Sequence, residues 1–349
     1  MKPIIDFFFG IEQNFDHSSI IMAGMDLLAR RKLIQLRFKR PQSDEYYLIK
    51  NPDVICFKLY SRSSSAPLVF AVDLTDHSDS FDPMILANCD FYLMKNFYQP
   101  SLGSIPVELA NKVRPYGLLY PCRTKGSSLC LFSSIVREIN RVRSSCIRSL
   151  YAHQHLPTIN DYEQAPSVSV DSTIVYQTRV WEDYDAPEES EIINEQRVAV
   201  IRALKYAFGD RFRGGLVPSS LALRRYPNEV SQYQARRKLY TAMSKRNLIA
   251  VYTRGLNSST AWKLAEYLAA SHCIVAEQWR NELPTPLVNG THYLSFQTPD
   301  QCVAMCQKIL ESPELSIQMR QANYDYYKTE VEPSAGVLNV LKRYGGISL

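Results

Sequence analysis

Short apolar runs alternate with longer amphipathic segments along most of this chain. The runs lack the period-two alternation of half-exposed strands, which is typical of strands buried on both faces of a parallel sheet. We predict strands at Pro3–Phe9, Leu33–Arg37, Val54–Lys58, Leu68–Leu74, Phe91–Met94, Ser172–Gln177, Leu248–Thr253 and Cys273–Ala276. We predict helices at Ser18–Arg30, Ser133–Ser149, Glu191–Phe208, Ala261–Ala270 and Pro299–Leu310. This alternation predicts an α/β fold with parallel sheets.

The length of 349 residues suits two domains. The polar, proline-containing segment His153–Ser169 is the best candidate for a linker between them. We therefore predict two doubly wound, Rossmann-like domains that face each other across a cleft, over residues 1–160 and 170–325. In such sheets the ligands bind at the carboxyl ends of the strands.

The charge of the chain argues against a nucleic-acid partner. The net charge is only +5, from 40 basic and 35 acidic residues, and both halves share it. Three tracts are locally basic, namely Arg30–Arg40, Arg123–Arg148 and Arg213–Arg246. Each is either a solvated face or a patch that holds the protein at an anionic membrane surface.

Cysteine usage and hydropathy predict a cytoplasmic protein. The eight cysteines form no CxxC pair, and several lie in apolar runs, which is typical of reduced, buried thiols. The apolar run at the N-terminus is interrupted by Asp6 and does not resemble a signal peptide. We find no window of 18 uncharged apolar residues, so we expect no membrane-spanning helix.

The segment Asn247–Glu277 carries the most chemical information. A buried-type strand is followed by a turn that contains Gly255 and by a run of possible helix N-caps: Asn257, Ser258, Ser259 and Thr260. The free N–H groups of such a turn can bind a phosphate, and Lys263 in the first helical turn would add a positive charge. Glu266 is spaced to accept hydrogen bonds from a ribose. The alternative is an ordinary surface ion pair between Lys263 and Glu266.

This strand, turn and helix, with Lys263-Leu264-Ala265-Glu266 followed by the strand at Cys273, resembles the C-terminal domain of GT-B glycosyltransferases. The similarity is closest to the bacterial "group 1" type, which uses nucleotide sugars. The resemblance implies that Glu266 binds the nucleotide ribose and that Gly255–Thr260 faces the phosphates. A second glutamate, common in the family eight residues earlier, is Ser258 here, and Ser271-His272 stands where Cys/Ser-Gly is common.

The resemblance extends to other parts of the chain. Ser172–Trp181 looks like the family's first C-domain strand and loop, so Arg179 is either a contact to the donor diphosphate or a solvated arginine. The family's last helix often crosses back to the first domain, and residues 326–349 are expected to do so. In the first half, the loop after the first strand implies donor-phosphate or acceptor contacts from Gly10, Asp16 and His17. Gly10 is otherwise a simple turn.

Acidic residues follow the predicted strand Leu68–Leu74. Asp76 or His77 would orient an acceptor hydroxyl or bind the donor sugar, since loops at strand ends carry the chemistry of such folds. The alternative makes Asp73 and Asp76 caps and turn formers. A metal site built from these residues and Asp79 is disfavoured, because the enzymes that this chain resembles need no bound metal.

The resemblance implies a retaining glycosyltransferase of bacterial polysaccharide assembly. It implies transfer of a sugar, with UDP-glucose the expected donor and GDP-sugars open, to a saccharide acceptor that could be lipid-linked. Catalytic roles would fall to Asp76, His77 and Lys263, with no permanently bound cofactor and no metal. The enzyme would act in the cytoplasm, either free or peripherally bound at the inner face of the plasma membrane. The alternative is a non-catalytic GT-B-like binding subunit, which Ser258 favours.

Overall fold

A computed structural model describes residues 2–8, 10, 13–61, 66–125, 155–182, 186–233 and 235–348. The chain divides into two compact units, each built from more than one stretch of sequence. Unit 1 contains residues 1–159, 281–285 and 329–349. Unit 2 contains residues 160–280 and 286–328.

The secondary structure of these ranges alternates between strands and helices. The strands are β1 (Ile4–Phe8), β2 (Gln35–Lys39), β3 (Val54–Tyr60), β4 (Leu68–Asp73), β5 (Phe91–Met94), β6 (Val113–Pro115), β7 (Asp171–Thr178), β8 (Phe212–Leu216), β9 (Asn247–Tyr252), β10 (Cys273–Glu277) and β11 (Tyr293–Phe296). The helices are α1 (Phe15–Arg30), α2 (Pro83–Asn88), α3 (Val107–Ala110), α4 (Ile159–Tyr162), α5 (Pro187–Phe208), α6 (Ser220–Arg225), α7 (Arg237–Ser244), α8 (Lys263–Ala269), α9 (Pro299–Glu311), α10 (Pro313–Tyr326) and α11 (Pro333–Arg343).

Unit 1 contains a six-stranded sheet in the order β2-β1-β3-β4-β5-β6. Strand β3 runs antiparallel to both β1 and β4, whereas the other pairs are parallel. The prediction of a wholly parallel sheet is therefore wrong for this unit. Only residues 61–67 connect β3 to β4, and a parallel crossover needs a dozen or more residues.

The chain terminus belongs to unit 1, where α11 lies against α1. The two helices approach most closely at Gly24, because a Cβ there would lie 2.1 Å from the carbonyl oxygen of Pro333. A glycine in mid-helix lowers helix propensity, but here it lets two backbones touch. The N-terminus of α1 is capped by Asn14, whose side chain accepts a hydrogen bond from the His17 N–H at 3.4 Å.

Unit 2 contains a five-stranded, wholly parallel sheet in the order β11-β10-β9-β7-β8. The predicted strands β7, β9 and β10 lie side by side at its centre, and their apolar residues form the core with helices α5, α9 and α10. The carboxyl ends of these three strands therefore meet at one edge. The prediction of a two-domain α/β protein is confirmed by the two sheets.

Two expectations concern features spread over the whole chain. Over the described ranges, no helix is both long enough and apolar enough to cross a membrane. The six cysteines in these ranges are free and buried, as predicted. The predicted helix Ser133–Ser149 and most of the basic tract Arg123–Arg148 lie outside the described residues.

Candidate functional site

The loop after β9 is a tight turn held by its own backbone. The Gly255 N–H donates to the Ser259 carbonyl at 2.9 Å, and the Ser259 N–H donates to the Leu256 carbonyl at 2.9 Å. Asn257 and Ser258 adopt left-handed backbone conformations, with φ of 54° and 55°. Left-handed geometry costs about 1–2 kcal/mol per non-glycine residue, a cost that the two hydrogen bonds within the loop help to offset.

Glu189, in the first turn of α5, also contacts this loop. Its Oε2 accepts a hydrogen bond from the Asn257 N–H at 3.0 Å, and its Oε1 accepts one from the Ser258 N–H at 3.4 Å. The Oε1 also accepts a hydrogen bond from Nη1 of Arg254 at 3.1 Å. The turn that the sequence predicts for a phosphate thus holds an anion, and in this structure the anion is a carboxylate of the chain itself.

Arg254 connects the ends of three elements. Its N–H and Nε donate to the two carboxylate oxygens of Glu277, at 2.9 and 3.2 Å, and its Nη1 reaches Glu189. Glu277 is the last residue of β10, so the arginine ties β9 to β10 and to the start of α5. Arg254, Glu277 and Glu189 were not predicted as site residues. The available signal was that Arg254 immediately precedes Gly255 at the end of a buried strand.

A buried arginine on α5 sets the positions of two strand ends. The Arg197 side chain donates to the backbone carbonyl of Arg179 at 2.6 Å and to that of Arg254 at 2.7 Å. Arg197 is only 4% exposed, and burial lowers the pKa of its guanidinium. One turn earlier, Asn194 bonds both the N–H and the carbonyl of Trp181, at 2.8 and 2.7 Å. Helix α5 therefore fixes the loops that follow β7 and β9.

Two further arginines surround this loop. Arg179 is exposed, and its side chain makes no hydrogen bond or ion pair with any described residue, which leaves both of its predicted roles open. The Arg280 Nη2 donates to the carbonyl of Asn257 at 3.2 Å. The edge of the sheet is thus rich in guanidinium groups, although only Arg179 was predicted.

Helix α8 begins at Lys263, whose ammonium lies against an aromatic ring. Its Nζ lies 3.4 Å from the centre of the Tyr240 ring, a cation–π contact. The Glu266 carboxylate is partly exposed and makes no hydrogen bond or ion pair within the described part of the chain. The surface pair between these two residues, the alternative in the sequence analysis, is therefore not formed. Ser271, which follows α8 and precedes His272, adopts φ of 50°.

The polar residues Ser259 and Thr260 of the same loop are buried. A Cβ at Gly255 would lie 2.4 Å from Oγ of Ser259, so a side chain there would force that hydroxyl to move. The next backbone group, the Ala261 N–H, donates to the Tyr252 hydroxyl at 2.9 Å. These residues therefore shape the loop. The hydroxyl of Ser258 is partly exposed and accepts a hydrogen bond from Nη1 of Arg254 at 3.3 Å.

Unit 1 has its own polar cluster at the carboxyl ends of β4 and β5. Lys95, directly after β5, forms an ion pair with Asp76 at 2.6 Å. The lysine side chain is 5% exposed, whereas that of Asp76 is 52% exposed, so a buried cation is partnered by a carboxylate at the surface. Asp76 was predicted from the sequence, whereas Lys95 was not. His77 is exposed and makes no hydrogen bond or ion pair with the described residues.

Asp73 serves the structure of this loop. One of its carboxylate oxygens accepts from the Thr75 N–H and hydroxyl at 2.9 and 2.7 Å, and the other accepts from the Tyr92 hydroxyl at 2.6 Å. Burial raises the pKa of Asp73. The turn-forming alternative therefore holds for this residue. Within the residues that the structure describes, no group of three histidine, cysteine or acidic side chains is arranged to hold a metal.

The other candidates of unit 1 lie at the start of α1. Burial, and to a lesser degree the charge of Lys95, lowers the pKa of His17, which favours a neutral imidazole. Asp16 precedes it in the first helical turn, where a carboxylate is favourable. A Cβ at Gly10 would lie 2.7 Å from the carbonyl oxygen of Ile49, so packing alone accounts for that glycine.

Comparisons with known proteins identify distant structural neighbours only. No family model matches the chain, and no curated protein matches it. Among solved structures, it is similar to Anabaena Alr3699/HepE in complex with UDP, with 12% identity, a TM-score of 0.42, and coverage of 99% of this chain and 100% of that one. The S. aureus MnaA–UDP co-structure gives 10% identity, a TM-score of 0.41, and coverage of 100% and 98%.

A third structure is the C-terminal domain of a glycosyl transferase group 1 family protein, LpcC, from Francisella tularensis. It has 10% identity and a TM-score of 0.35, and it covers 49% of this chain and 96% of its own. At these values the similarities assign no residue and no ligand. The fold of this chain is defined by its own strands and helices.

Proposed function

We propose that this chain is a GT-B-type glycosyltransferase that transfers a sugar from a nucleotide-sugar donor. The observation that carries the proposal is the Glu266 carboxylate, which is partly exposed and without a partner in the described structure, one turn beyond a loop whose N–H groups bind an anion. A partner-free carboxylate suits hydroxyl groups of a ribose, and an anion-binding turn suits phosphates. The resemblance of Asn247–Glu277 to the glycosyltransferase motif supports the same roles.

In this proposal, unit 2, within residues 170–325, binds the donor through its sheet edge. The guanidinium groups of Arg179, Arg254 and Arg280 would stabilise the nucleoside diphosphate as it leaves with additional negative charge. Lys263 would join them only by leaving the Tyr240 ring, so we expect Arg254 to be the cation nearest the phosphates. Ser259 and Thr260 would act by shaping the loop.

Unit 1, within residues 1–160, would bind the acceptor. Asp76 and His77 follow β4, and Asp16 and His17 begin α1, where polar groups can orient an acceptor hydroxyl. The neutral form that burial favours for His17 can accept a proton or a hydrogen bond. Lys95 is an additional candidate, because its buried ammonium suits an anionic group of a ligand.

The finer assignments are carried by the motif resemblance. They are UDP-glucose as donor, retention of anomeric configuration, and a saccharide or lipid-linked acceptor in bacterial polysaccharide assembly. Contact with an anionic membrane surface has weaker support, because Arg30, Arg37 and Arg213 of the basic tracts form ion pairs within the protein. Cosedimentation with anionic liposomes at low salt tests this contact, and its absence there would remove it.

Calorimetric titration with UDP, GDP and ADP tests the donor site. We expect UDP to bind, and we expect Glu266→Gln to weaken binding by about 10- to 100-fold, because hydrogen bonds to a charged carboxylate contribute about 1.5–3 kcal/mol. Glu314→Gln, at an exposed glutamate of α10, is the matched control and should bind as the wild type does. Failure of every nucleotide to bind would refute the proposal.

The second candidate is a non-catalytic binding subunit. Ser258 stands where the family has a glutamate, and the loop N–H groups beside it are filled by Glu189. Turnover decides between the two functions. UDP binding without transfer or hydrolysis of UDP-glucose would favour the subunit, and release of UDP from UDP-glucose would favour the enzyme.

A further inference from the structure

We propose that the Glu189 carboxylate is a displaceable occupant of an oxyanion site, and that a phosphate or diphosphate group displaces it. The site consists of the N–H groups of Asn257 and Ser258 and the guanidinium of Arg254. The proposed function supplies only the expected nucleotide, because the anion site itself is defined by these three contacts.

All three hydrogen-bond donors of the site point to the two carboxylate oxygens of Glu189. One carboxylate oxygen receives the Asn257 N–H, and the other receives both the Ser258 N–H and Arg254 Nη1. Two backbone N–H groups and one guanidinium form the donor set that proteins use for phosphate oxygens. A phosphate oxygen can therefore take the place of each carboxylate oxygen without a new donor.

The loop keeps its framework when Glu189 leaves. Its turn is closed by hydrogen bonds of Gly255 and Ser259, neither of which involves the glutamate. Arg254 retains both bonds to Glu277, and its carbonyl stays bound to the buried Arg197. Loss of the carboxylate would therefore vacate the site without dismantling it.

The displaced Glu189 side chain can move into solvent. Its side chain is 26% exposed, so a short rotation takes the carboxylate into water. It lies in the first turn of the 22-residue helix α5, where the helix dipole stabilises a negative charge whether or not the loop is bound. Displacement would leave Glu277 as the one carboxylate that pairs with Arg254 among the described residues, which favours an incoming anion.

The occupant lowers the apparent affinity of the site. A ligand that needs the vacant site binds in proportion to the fraction of molecules in which Glu189 is already out. We expect that removing the carboxylate raises the affinity by about 10- to 100-fold, the range that corresponds to a charge-assisted hydrogen bond.

Calorimetric titration with inorganic pyrophosphate tests the inference in Glu189→Gln and in the wild type. The matched control is Glu188→Gln, which removes the same charge from the adjacent, exposed residue of the same helix turn. We expect tighter binding by the stated factor in Glu189→Gln and a change of less than about twofold in Glu188→Gln. Equal affinities in all three proteins would overturn the inference.

Two further variants test whether the gain in affinity arises at this site. Glu189→Asp keeps the charge at the helix terminus and withdraws the carboxylate by one methylene, so it should also bind pyrophosphate more tightly, and it serves where the glutamine variant does not fold. Adding Arg254→Met to Glu189→Gln should cancel the gain, and a gain that survives this addition places the site elsewhere. A wild type that binds UDP with no gain in Glu189→Gln defeats this inference alone, whereas a pyrophosphate gain without any nucleotide binding defeats the proposed function alone.

Discussion

Replacing Arg197 with methionine should destabilise unit 2 and loosen the candidate donor site. The guanidinium makes two hydrogen bonds to backbone carbonyls, of 2.6 and 2.7 Å, that belong to the residues following β7 and β9. It also lies over the Trp181 ring, 5.9 Å from its centre. Methionine keeps much of the apolar stem and loses every donor, so both carbonyls lose a partner.

The magnitude follows from these contacts. Hydrogen bonds to charged groups contribute about 1.5–3 kcal/mol each, which gives about 3–6 kcal/mol for the pair. Methionine offsets part of this lost free energy, because the substitution removes a buried charge that is costly to desolvate. We expect a net loss of about 2–4 kcal/mol in the free energy of unfolding. With a urea dependence of about 2 kcal/mol per molar, the unfolding midpoint falls by about 1–2 M.

Tryptophan fluorescence during urea unfolding measures this loss in unit 2 alone, because Trp181, Trp262 and Trp279 all belong to that unit. The control is Lys205→Met on the same helix, where the ammonium also donates to a backbone carbonyl, at 2.7 Å, but in an exposed position. We expect that variant to lose less than about 1 kcal/mol. Equal losses for Arg197→Met and Lys205→Met would refute the argument that burial makes the Arg197 contacts strong.

Three smaller predictions concern stability. Burial lowers the pKa of His272 from 6.5 to about 4, so the unfolded state binds more protons between these values and stability falls as pH falls. The free energy of unfolding of unit 2, measured with urea, should fall by about 2 kcal/mol between pH 6.5 and 5. His272→Asn should abolish this loss, and the control variant His77→Asn, at an exposed site, should keep it. Tyr92→Phe removes the 2.6 Å hydrogen bond to the buried Asp73 carboxylate and should cost unit 1 about 1–3 kcal/mol, measured by circular dichroism. Gly24→Ala should lower the melting temperature although alanine favours helices, because its Cβ would meet a carbonyl of α11 at 2.1 Å; a higher melting temperature would contradict that packing.

The sequence predicts the central strands well and the sheet of unit 1 less well. Strands β7, β9 and β10 are buried apolar runs whose pattern depends on burial alone, and each was predicted to within one residue at either end. The direction of β3 is a different matter, because an apolar run looks the same in a parallel and an antiparallel pair. Strand β8 was missed because its sequence contains two glycines; Gly214 has no room for a side chain, since a Cβ would lie 1.9 Å from the Tyr176 carbonyl.

Some residues of the candidate site could likewise be predicted from local sequence, and others could not. The β9–α8 loop could be predicted, because a glycine turn and a run of cap residues are local signals that lie beside one another in the chain. Glu189 and Arg197 could not, since they precede the loop by about 60 residues and reach it only through the packing of α5 on the sheet. Lys95 was overlooked for a related reason, since a single lysine after a strand shows its burial only in the folded unit.

The loop shows why a local motif defines a kind of ligand and leaves its identity open. Two N–H groups and a guanidinium bind a carboxylate and a phosphate through the same donors, so the residues from Arg254 to Ser258 establish only that an anion belongs there. In this chain the loop already binds the carboxylate of Glu189. The N-terminus of α5 stabilises that charge whether the carboxylate contacts the loop or points into water. A phosphate must then bind more strongly than a tethered carboxylate, and weak anions are excluded. Glu189 would in this way make the site selective for multiply charged phosphates, which is the discrimination that a donor site for nucleoside diphosphates requires.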